Sequence, residues 1–471
     1  MSGDPPETPI EEKYPDLTAL FRDRPLAYAG YRISELKKRG SGISESDEIP
    51  LVTTPVFVFA IVGYLLFARA RFLWRRFAGT AETERLPSDG HLFSMTSSHG
   101  YRTRSFLEVA EALQDEGETV RLLCSPAAAD ERDAWERDGL PTTTHRELHG
   151  RIGVTALVGC LVSSAVLTRR LWAHEDTYRS LTALYQYYNF VLLEHVKRES
   201  VRDLTAEEPN VHTFSPMPYL VDSTTPEGLF AYQHGIQMSN HDKCLSLPFF
   251  APMHLFIWGE AWCERFRNTL HSASTVHVVG SPWYDYLASR REERDPRTDV
   301  LFVGGSHGLT DPEVAREYEE LVRDTVETCE RNGYSLAVKL HPLASPEWYE
   351  ERGWGEYVES FDDIDDALLA SRVSVTNTST AFVESAVLSV PAIVADLFEK
   401  GLAGLAPVDY LRFTEGPEVG DAIEEDAEGG QFQSESSRPL VVLGGSTERI
   451  VDVVLERRDA VYPTAESSTP P

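Results

Sequence analysis

The sequence predicts an α/β protein of two halves, each built on a parallel sheet. In each half a short apolar run leads through a polar turn into an apolar-periodic helix and then into a second apolar run, the order of a strand–helix–strand unit. In the first half this order covers residues 92–126. In the second half it is clearest from Val373 to Val394, where a helix starting at Ala381 separates two apolar runs. We therefore expect two Rossmann-like domains facing each other across a cleft, with an N-terminal hydrophobic helix.

Composition excludes some functions. The 471-residue chain carries 75 acidic and 44 basic residues, which gives a net charge of −31. Such a surface repels nucleic acid, so we expect no nucleic-acid partner. The acidic residues are spread through the helices, a distribution that suggests a salt-rich, halophilic cytosol. The five cysteines form no CxxC pair, which favours reduced thiols and no metal site.

Patterning divides the chain into five segments. These are a polar extension at 1–50, a membrane-associated hydrophobic helix at 51–77, a first Rossmann-like domain at 88–280, a second Rossmann-like domain at 298–458 and a disordered tail at 459–471; the acceptor side of the first domain and the donor-nucleotide binding of the second are implied by the resemblance given below. Residues 51–68 carry no charge, and four arginines follow at positions 69, 71, 75 and 76. This stretch is a single span, a helix lying in the membrane interface or a buried core helix. A span with these arginines would place the catalytic body on the cytoplasmic face of the membrane.

Polar residues that follow the predicted first-half strands are candidates for the acceptor side. Ser98 and His99 follow the strand at 92–95, and Gln233 and His234 follow the strand at 229–232. His234 precedes a glycine at a strand end, where an imidazole is exposed and can approach a substrate. A neutral imidazole can act as a general base toward a hydroxyl, although a structural histidine remains an alternative.

The second half carries candidates for a phosphate site after three strands. These are Gly304, Gly305 and Ser306 after residues 300–303, His341 after residues 336–340, and Thr378, Ser379 and Thr380 after residues 373–376. Hydroxyl groups and unpaired N–H groups at the start of a helix bind phosphate, although the same hydroxyls can simply cap the helix. Glu384, one turn into that helix, would point a carboxylate at a ribose diol.

Beyond Ala395 the pattern is weaker. We expect a loop or partial disorder over the acidic, glycine-rich residues 415–437, because few apolar residues interrupt them. Residues 440–443 suggest a last strand, and residues 447–457 suggest a last helix.

The ordered motifs of residues 300–395 resemble the C-terminal, nucleotide-binding half of GT-B-fold transferases of surface polymers. They are a strand ending in His341-Pro342, an acidic helix start at 362–370, and a strand followed by Thr-Asn-Thr-Ser-Thr and a helix bearing Glu384. The similar families are capsule polysaccharide synthesis proteins, HP-motif sialyl- and polysialyltransferases, and CDP-glycerol glycerophosphotransferases. The last carry an aspartate-tyrosine-serine-serine turn where this chain has its threonine-rich one, so the donor can differ.

The resemblance implies that His341, Ser379 and Thr380 contact the donor phosphates and that His234 is the catalytic base. It implies a metal-independent glycosyltransferase that moves a sugar from a nucleotide-sugar, with no other cofactor, to a cell-surface polysaccharide or lipid-linked glycan. Three alternatives remain: a CDP-polyol phosphotransferase, a non-hydrolysing UDP-sugar 2-epimerase and a non-catalytic scaffold.

Overall fold

Two parallel β-sheets form the framework of the computed structural model, one in each half of the chain. The structure describes residues 91–95, 100–124, 132–144, 203–206, 229–233, 254–263, 274–304, 312–341, 344–361, 363–377, 379–395, 411–414, 419–427 and 439–461, with positions 70, 73, 74, 77 and 397. The predicted α/β class with parallel sheets is confirmed.

The first sheet has seven strands in the order β3-β2-β1-β4-β5-β6-β7. They are β1 (His91–Met95), β2 (Val120–Cys124), β3 (Thr142–Thr144), β4 (Asp203–Ala206), β5 (Leu229–Tyr232), β6 (His254–Ile257) and β7 (Thr275–Val278). The helices described in this half are α1 (Gly100–Asp115), α2 (Arg132–Arg137) and α3 (Pro282–Ser289). The strand order changes direction between β1 and β4, and open α/β sheets bind ligands at the carboxyl ends of strands at such a switch point.

The second sheet has five strands in the order β12-β11-β10-β8-β9. They are β8 (Thr298–Val303), β9 (Leu336–Lys339), β10 (Ser371–Asn377), β11 (Ala392–Ala395) and β12 (Leu411–Thr414). The helices are α4 (Pro312–Asn332), α5 (Pro346–Glu350), α6 (Ile364–Leu369), α7 (Ala381–Val387), α8 (Val419–Ala427) and α9 (Ser446–Val461). Short 3-10 helices cover Glu260–Trp262, Arg291–Glu293 and Gly355–Tyr357. Here the switch point lies between β8 and β10.

The central unit of the second half forms as its sequence predicts. Helix α7 begins at Ala381, and β11 covers the apolar run Ala392–Ala395 after Pro391. Strand β11 is completely buried, as expected for an inner strand of a parallel sheet covered on both faces. In the first half, α1 ends at Asp115, and Gly117 follows it with a φ of +85°, a backbone conformation that favours glycine.

Two expectations for the C-terminal region are wrong. Within the acidic stretch 415–437, residues Val419–Ala427 form a helix, α8, because Val419, Ala422 and Ile423 share one face and are buried against the second core. Residues 440–443 form no strand. Their polar groups bond elsewhere: the carbonyl of Leu440 accepts the indole N–H of Trp262 at 2.8 Å, and the N–H of Val442 donates to the carbonyl of Trp258 at 2.8 Å.

The last helix packs on the first half although it lies within the segment 298–458 assigned to the second. Ile450, Val451 and Val454 of α9 are buried in the first core, which also contains Phe93 and Phe106. The start of α9 is fixed by Asp285 of α3, whose carboxylate accepts the backbone N–H groups of two residues at that start, Gly444 at 2.6 Å and Ser446 at 2.9 Å. The first half is therefore built from both ends of the described chain.

Three arginines fasten the connection between the halves to the second sheet. Arg290 forms ion pairs with Asp365 and Asp366 of α6, the latter at 3.0 Å. Arg291 donates to the carbonyl of the last residue of α7, and Arg294 donates to the carbonyl of Ser389 at 3.0 Å. These bonds dock residues 290–294 against α6 and α7, so the connection is held along its length.

The structure describes only a few residues of the segment that is predicted to contact a membrane. Residues 51–68 lie outside the described part of the chain, and across the described part no helix has both the length and the apolar character needed to cross a bilayer. Just beyond that stretch, Leu73, Trp74 and Phe77 are helical and exposed, at 47%, 68% and 94%.

Candidate functional site at the carboxyl edge of the second sheet

Strands β8 and β10 are neighbours, and their carboxyl ends place two of the predicted phosphate loops side by side. Val303 of β8 pairs with Thr376 of β10, so Gly304 follows one strand where Asn377 ends the other. Thr378 lies outside the described residues, and Ser379 comes next on the way into α7. Gly305 and Ser306 also lie outside the described residues. This is the switch point of the sheet, where its topology favours a ligand.

Strand β9 adds His341 to the same edge. Lys339 of β9 pairs with Val303, and its carbonyl accepts the N–H of Gly304 at 2.9 Å. His341 lies two residues further along and is half-buried, and its carbonyl accepts the N–H of Ala344 at 2.8 Å. The structure thus brings Gly304, His341 and the start of α7 to three adjacent strand ends.

Gly304 packs against two buried tyrosines. The hydroxyl groups of Tyr318 and Tyr349 lie 2.6 Å apart, and a Cβ added at Gly304 would lie 3.2 Å and 2.9 Å from them. Burial and the neighbouring phenol raise the pKa of Tyr349 well above its usual value, so the Tyr349 hydroxyl stays protonated at ordinary pH. A glycine is therefore required for the chain to pass this close to the hydroxyl pair.

Two hydroxyl side chains lie at the start of α7, and only the first of them caps the helix. The hydroxyl of Ser379 accepts the N–H of Ala381 at 3.3 Å, which is the capping contact that the sequence left open. Thr380 makes no side-chain capping bond, and its carbonyl accepts the N–H of Val383 at 2.8 Å to close the first turn. The Ser379 hydroxyl is thus engaged with the helix, while Thr380 keeps its hydroxyl for another acceptor or donor.

Two buried polar atoms at the end of β10 have no hydrogen-bond partner. They are the hydroxyl oxygen of Thr376 and the side-chain carbonyl oxygen of Asn377, in residues only 1% and 3% exposed. Such atoms cost free energy unless something bonds them, and a ligand at this edge would supply partners for both. Sequence reasoning named neither residue as a ligand contact, although the polar run after a β-branched strand was the available signal.

Glu384 is buried between the halves. Its side chain is 6% exposed, and its carboxylate accepts the indole N–H of Trp283 of α3 at 3.3 Å. Desolvation raises the pKa of Glu384 to about 7, against the opposing effect of the Trp283 bond. Asp365 raises the same pKa further and Lys339 lowers it. The carboxyl predicted to meet a ribose thus changes its charge near neutral pH.

Trp283 is held by the first half. Its backbone N–H donates to the hydroxyl of Ser105 of α1 at 3.2 Å, and that hydroxyl lies 3.3 Å from the hydroxyl of Ser281. Helix α3 follows β7 at the carboxyl edge of the first sheet, and it packs against both α1 and α7. The bond between Trp283 and Glu384 therefore joins the two carboxyl edges.

On the first half, only Gln233 of the four predicted acceptor-side and base residues is described. It is 2% exposed, its side-chain oxygen accepts the N–H of Trp258 at 3.0 Å, and its own N–H donates to the carbonyl of Phe256 at 2.9 Å. These bonds join the ends of β5 and β6, so the Gln233 side chain helps to hold these two strand ends together. Ser98, His99 and His234 lie outside the described residues.

The described residues contain no group of three or more His, Cys, Asp or Glu side chains that could hold a metal ion.

Comparisons with known proteins give structural neighbours only. No protein-family model and no curated protein matches the sequence. Among solved structures, UDP-GlcNAc 2-epimerase of Methanocaldococcus jannaschii in complex with UDP-GlcNAc and UDP is 12% identical, with a TM-score of 0.49 over 78% of this chain and 99% of its own. MurG of Acinetobacter baumannii is 13% identical, with a TM-score of 0.38 over 78% and 99%. A wall teichoic acid polymerase, TagF, is 10% identical, with a TM-score of 0.43 over 88% and 99%. At these identities, and with TM-scores below 0.5, the similarities do not extend to an activity for this chain.

Proposed function

We propose that this chain is a glycosyltransferase that binds the diphosphate of a nucleotide-sugar at the carboxyl edge of the second sheet. The observation that carries the proposal is the meeting of Gly304, His341 and the Ser379–Thr380 turn at the ends of β8, β9 and β10. The sequence predicts each of these elements as a separate phosphate motif, and the strand order brings their strand ends to one edge of the sheet at its switch point, which supports the proposal. The unpartnered atoms of Thr376 and Asn377 lie at the same edge.

In the proposed reaction, the residues at this edge of the sheet stabilise the leaving diphosphate. An acceptor hydroxyl attacks the anomeric carbon, the bond from that carbon to the phosphate oxygen breaks, and the bonding electrons leave with the diphosphate. In this proposal the imidazole of His341 and the hydroxyl of Thr380 donate to the oxygens of the leaving diphosphate, because donors placed before the reaction stabilise developing charge most effectively. The proton of the acceptor goes to a base, for which the resemblance to surface-polymer transferases supplies His234.

The acceptor is proposed to be a cell-surface polysaccharide or lipid-linked glycan, reached from the cytoplasmic face of the membrane. Ala70, Leu73, Trp74 and Phe77 have the spacing of one helix face, and the last three are exposed apolar side chains. Arginines at positions 69, 71, 75 and 76 make this stretch basic, in a chain whose net charge is −31. An apolar face flanked by arginines fits the interface of an anionic bilayer.

Vesicle cosedimentation checks the membrane contact. We expect wild-type protein to bind vesicles containing phosphatidylglycerol more strongly than phosphatidylcholine vesicles, and Trp74→Ser to weaken that binding while Ser289→Ala, an exposed substitution on α3, does not. Equal binding by Trp74→Ser and wild type would place the contact elsewhere.

Thermal unfolding with UDP, CDP, CMP and GDP in high salt tests the donor site. A nucleotide at 100 times its dissociation constant stabilises the folded state by about 2.7 kcal/mol, which raises the unfolding temperature by several degrees. We expect one nucleotide to do this for the wild type and Ser289→Ala but not for His341→Ala. If no nucleotide stabilises the wild type, or if His341→Ala responds as the wild type does, the phosphate site is not at this edge.

Product analysis then separates the reaction classes. With a UDP- or GDP-sugar and a glycan acceptor, glycosyl transfer releases the nucleoside diphosphate in step with acceptor growth. CDP-glycerol would instead give CMP if the chain were a polyol phosphotransferase. Conversion of a UDP-sugar to its 2-epimer without release of nucleotide would identify an epimerase and refute the proposal.

A further inference from the structure

Glu384 is tied to a residue of the other half that no sequence motif marks. Trp283 is separated from it by 101 positions, and the two side chains, 9% and 6% exposed, meet through the indole N–H. An indole has one donor and no acceptor, so this bond is made to the oxygen of a carboxylate in a fixed direction. The donor is rigid because α3 holds Trp283 by its backbone against Ser105.

Because the proposed nucleotide site lies on the second sheet, this contact brings the first half into that site. We propose that Trp283 is a positioning residue that favours the ionised form of the Glu384 carboxylate and orients it toward the hydroxyl pair of the donor ribose, so that the site is complete only when the two halves are docked. The inference rests on the proposed function. It adds that the ribose is the part of the donor whose binding depends on the first half.

The charged groups near Glu384 have other partners, so the indole N–H of Trp283 is the donor that acts directly on its carboxylate. Asp365 of α6 opposes ionisation of Glu384, and Lys339 of β9 favours it. Asp365 is itself paired with Arg290, and the ammonium of Lys339 donates to the carbonyl of Phe361 at 3.2 Å. Both flanking charges therefore have other partners, and Trp283 is the group that bonds the carboxylate directly. An ionised carboxylate accepts hydroxyl hydrogen bonds about twice as strongly as a neutral group does.

The chain offers a matched control. Trp262 is also buried, and its indole N–H donates at 2.8 Å to the carbonyl of Leu440 within the first half. Trp283→Phe and Trp262→Phe each keep an aromatic ring and remove one buried N–H donor. Both lose some stability, but only Trp283→Phe removes a bond to Glu384.

The test is the pH dependence of nucleotide affinity, measured by calorimetry between pH 5.5 and 8.5. The probes are the nucleoside diphosphate that stabilises the wild type and its 2′,3′-dideoxy counterpart. For the ribose form, we expect wild-type affinity to rise with pH as Glu384 ionises. In Trp283→Phe the rise moves to higher pH, and affinity at pH 7 falls about tenfold. Trp262→Phe keeps the wild-type profile, and in Glu384→Gln the ribose form shows the same pH dependence as the dideoxy form, which shares the titration of the nucleotide phosphate.

The outcomes separate this inference from the proposed function. If the nucleotide binds the wild type and the two tryptophan variants share one pH profile, Trp283 is only structural and the inference fails alone. If the dideoxy form binds the wild type as tightly as the ribose form does, Glu384 does not meet the ribose and the inference also fails alone. If no nucleotide binds the wild type, the proposed function fails and takes this inference with it.

Discussion

Replacing Glu384 by glutamine tests the electrostatics of the contact between the halves without any ligand. The pKa of Glu384 rises from 4.5, its value in an exposed chain, to about 7 because the carboxyl is buried. Below pH 4.5 the group is protonated in both the folded and the unfolded state and makes no difference. Between pH 4.5 and 7 the unfolded chain releases the proton and the folded chain keeps it, so the free energy of unfolding falls as pH rises.

The size of the effect follows from the shift. Each unit of pKa difference is worth about 1.4 kcal/mol, so the ionisation of Glu384 costs about 3 kcal/mol of folding stability by pH 8. Glutamine keeps the shape, and its side-chain oxygen still accepts the indole N–H of Trp283, but it has no proton to release. We therefore expect Glu384→Gln to gain about 3 kcal/mol relative to wild type between pH 5 and pH 8.

Urea unfolding of both proteins at pH 5 and pH 8, in the same high salt, measures this. Many acidic groups titrate in a chain of net charge −31, but their contribution is common to both proteins and cancels in the comparison. Glu351→Gln serves as the control, since Glu351 is an exposed carboxylate on the same half. If Glu384→Gln and wild type differ by the same amount at both pH values, Glu384 is not buried against Trp283 and the packing of α3 on α7 is wrong.

Two further substitutions test the framework of the site. Gly304→Ala places a methyl group 2.9 Å from the Tyr349 hydroxyl, so we expect about 1–3 kcal/mol of destabilisation in urea unfolding, partly restored by adding Tyr349→Phe; no restoration would place the strain elsewhere. Asp285→Asn removes the charge that accepts two N–H groups at the start of α9, so we expect a loss of about 1–2 kcal/mol, whereas Asp295→Asn, at a side chain 83% exposed, changes stability little; equal losses would contradict the assigned cap.

The helices and strands at the centre of the second half could be predicted because residues close to each element in the sequence mark where it begins. The polar turn before Ala381 and Pro391 before the last apolar run mark where α7 and β11 begin. Helix α8 was missed because overall acidity was given more weight than the apolar spacing of Val419, Ala422 and Ile423, which a buried face needs even in a charged segment.

The site was harder to predict because its parts meet through sheet order. Gly304, His341 and Ser379 could each be named from a strand followed by a polar turn. That they lie at three adjacent strand ends depends on β8 lying between β9 and β10, which a single sequence does not encode locally. The bond between Trp283 and Glu384 joins residues 101 positions apart in different halves, and Trp283 had no motif to mark it.

The packing of α9 on the first sheet has a consequence for how the protein is made. During synthesis the ribosome delivers β1 and α1 more than 300 residues before Ile450 and Val454, which complete their core. Until these residues emerge, the core around Phe93 and Phe106 lacks the apolar side chains that α9 contributes. A nascent chain halted before residue 446 would therefore expose part of that apolar surface, and such exposed surface is what chaperones bind. The core of the first half is thus completed only after the strands of the second sheet have been synthesised.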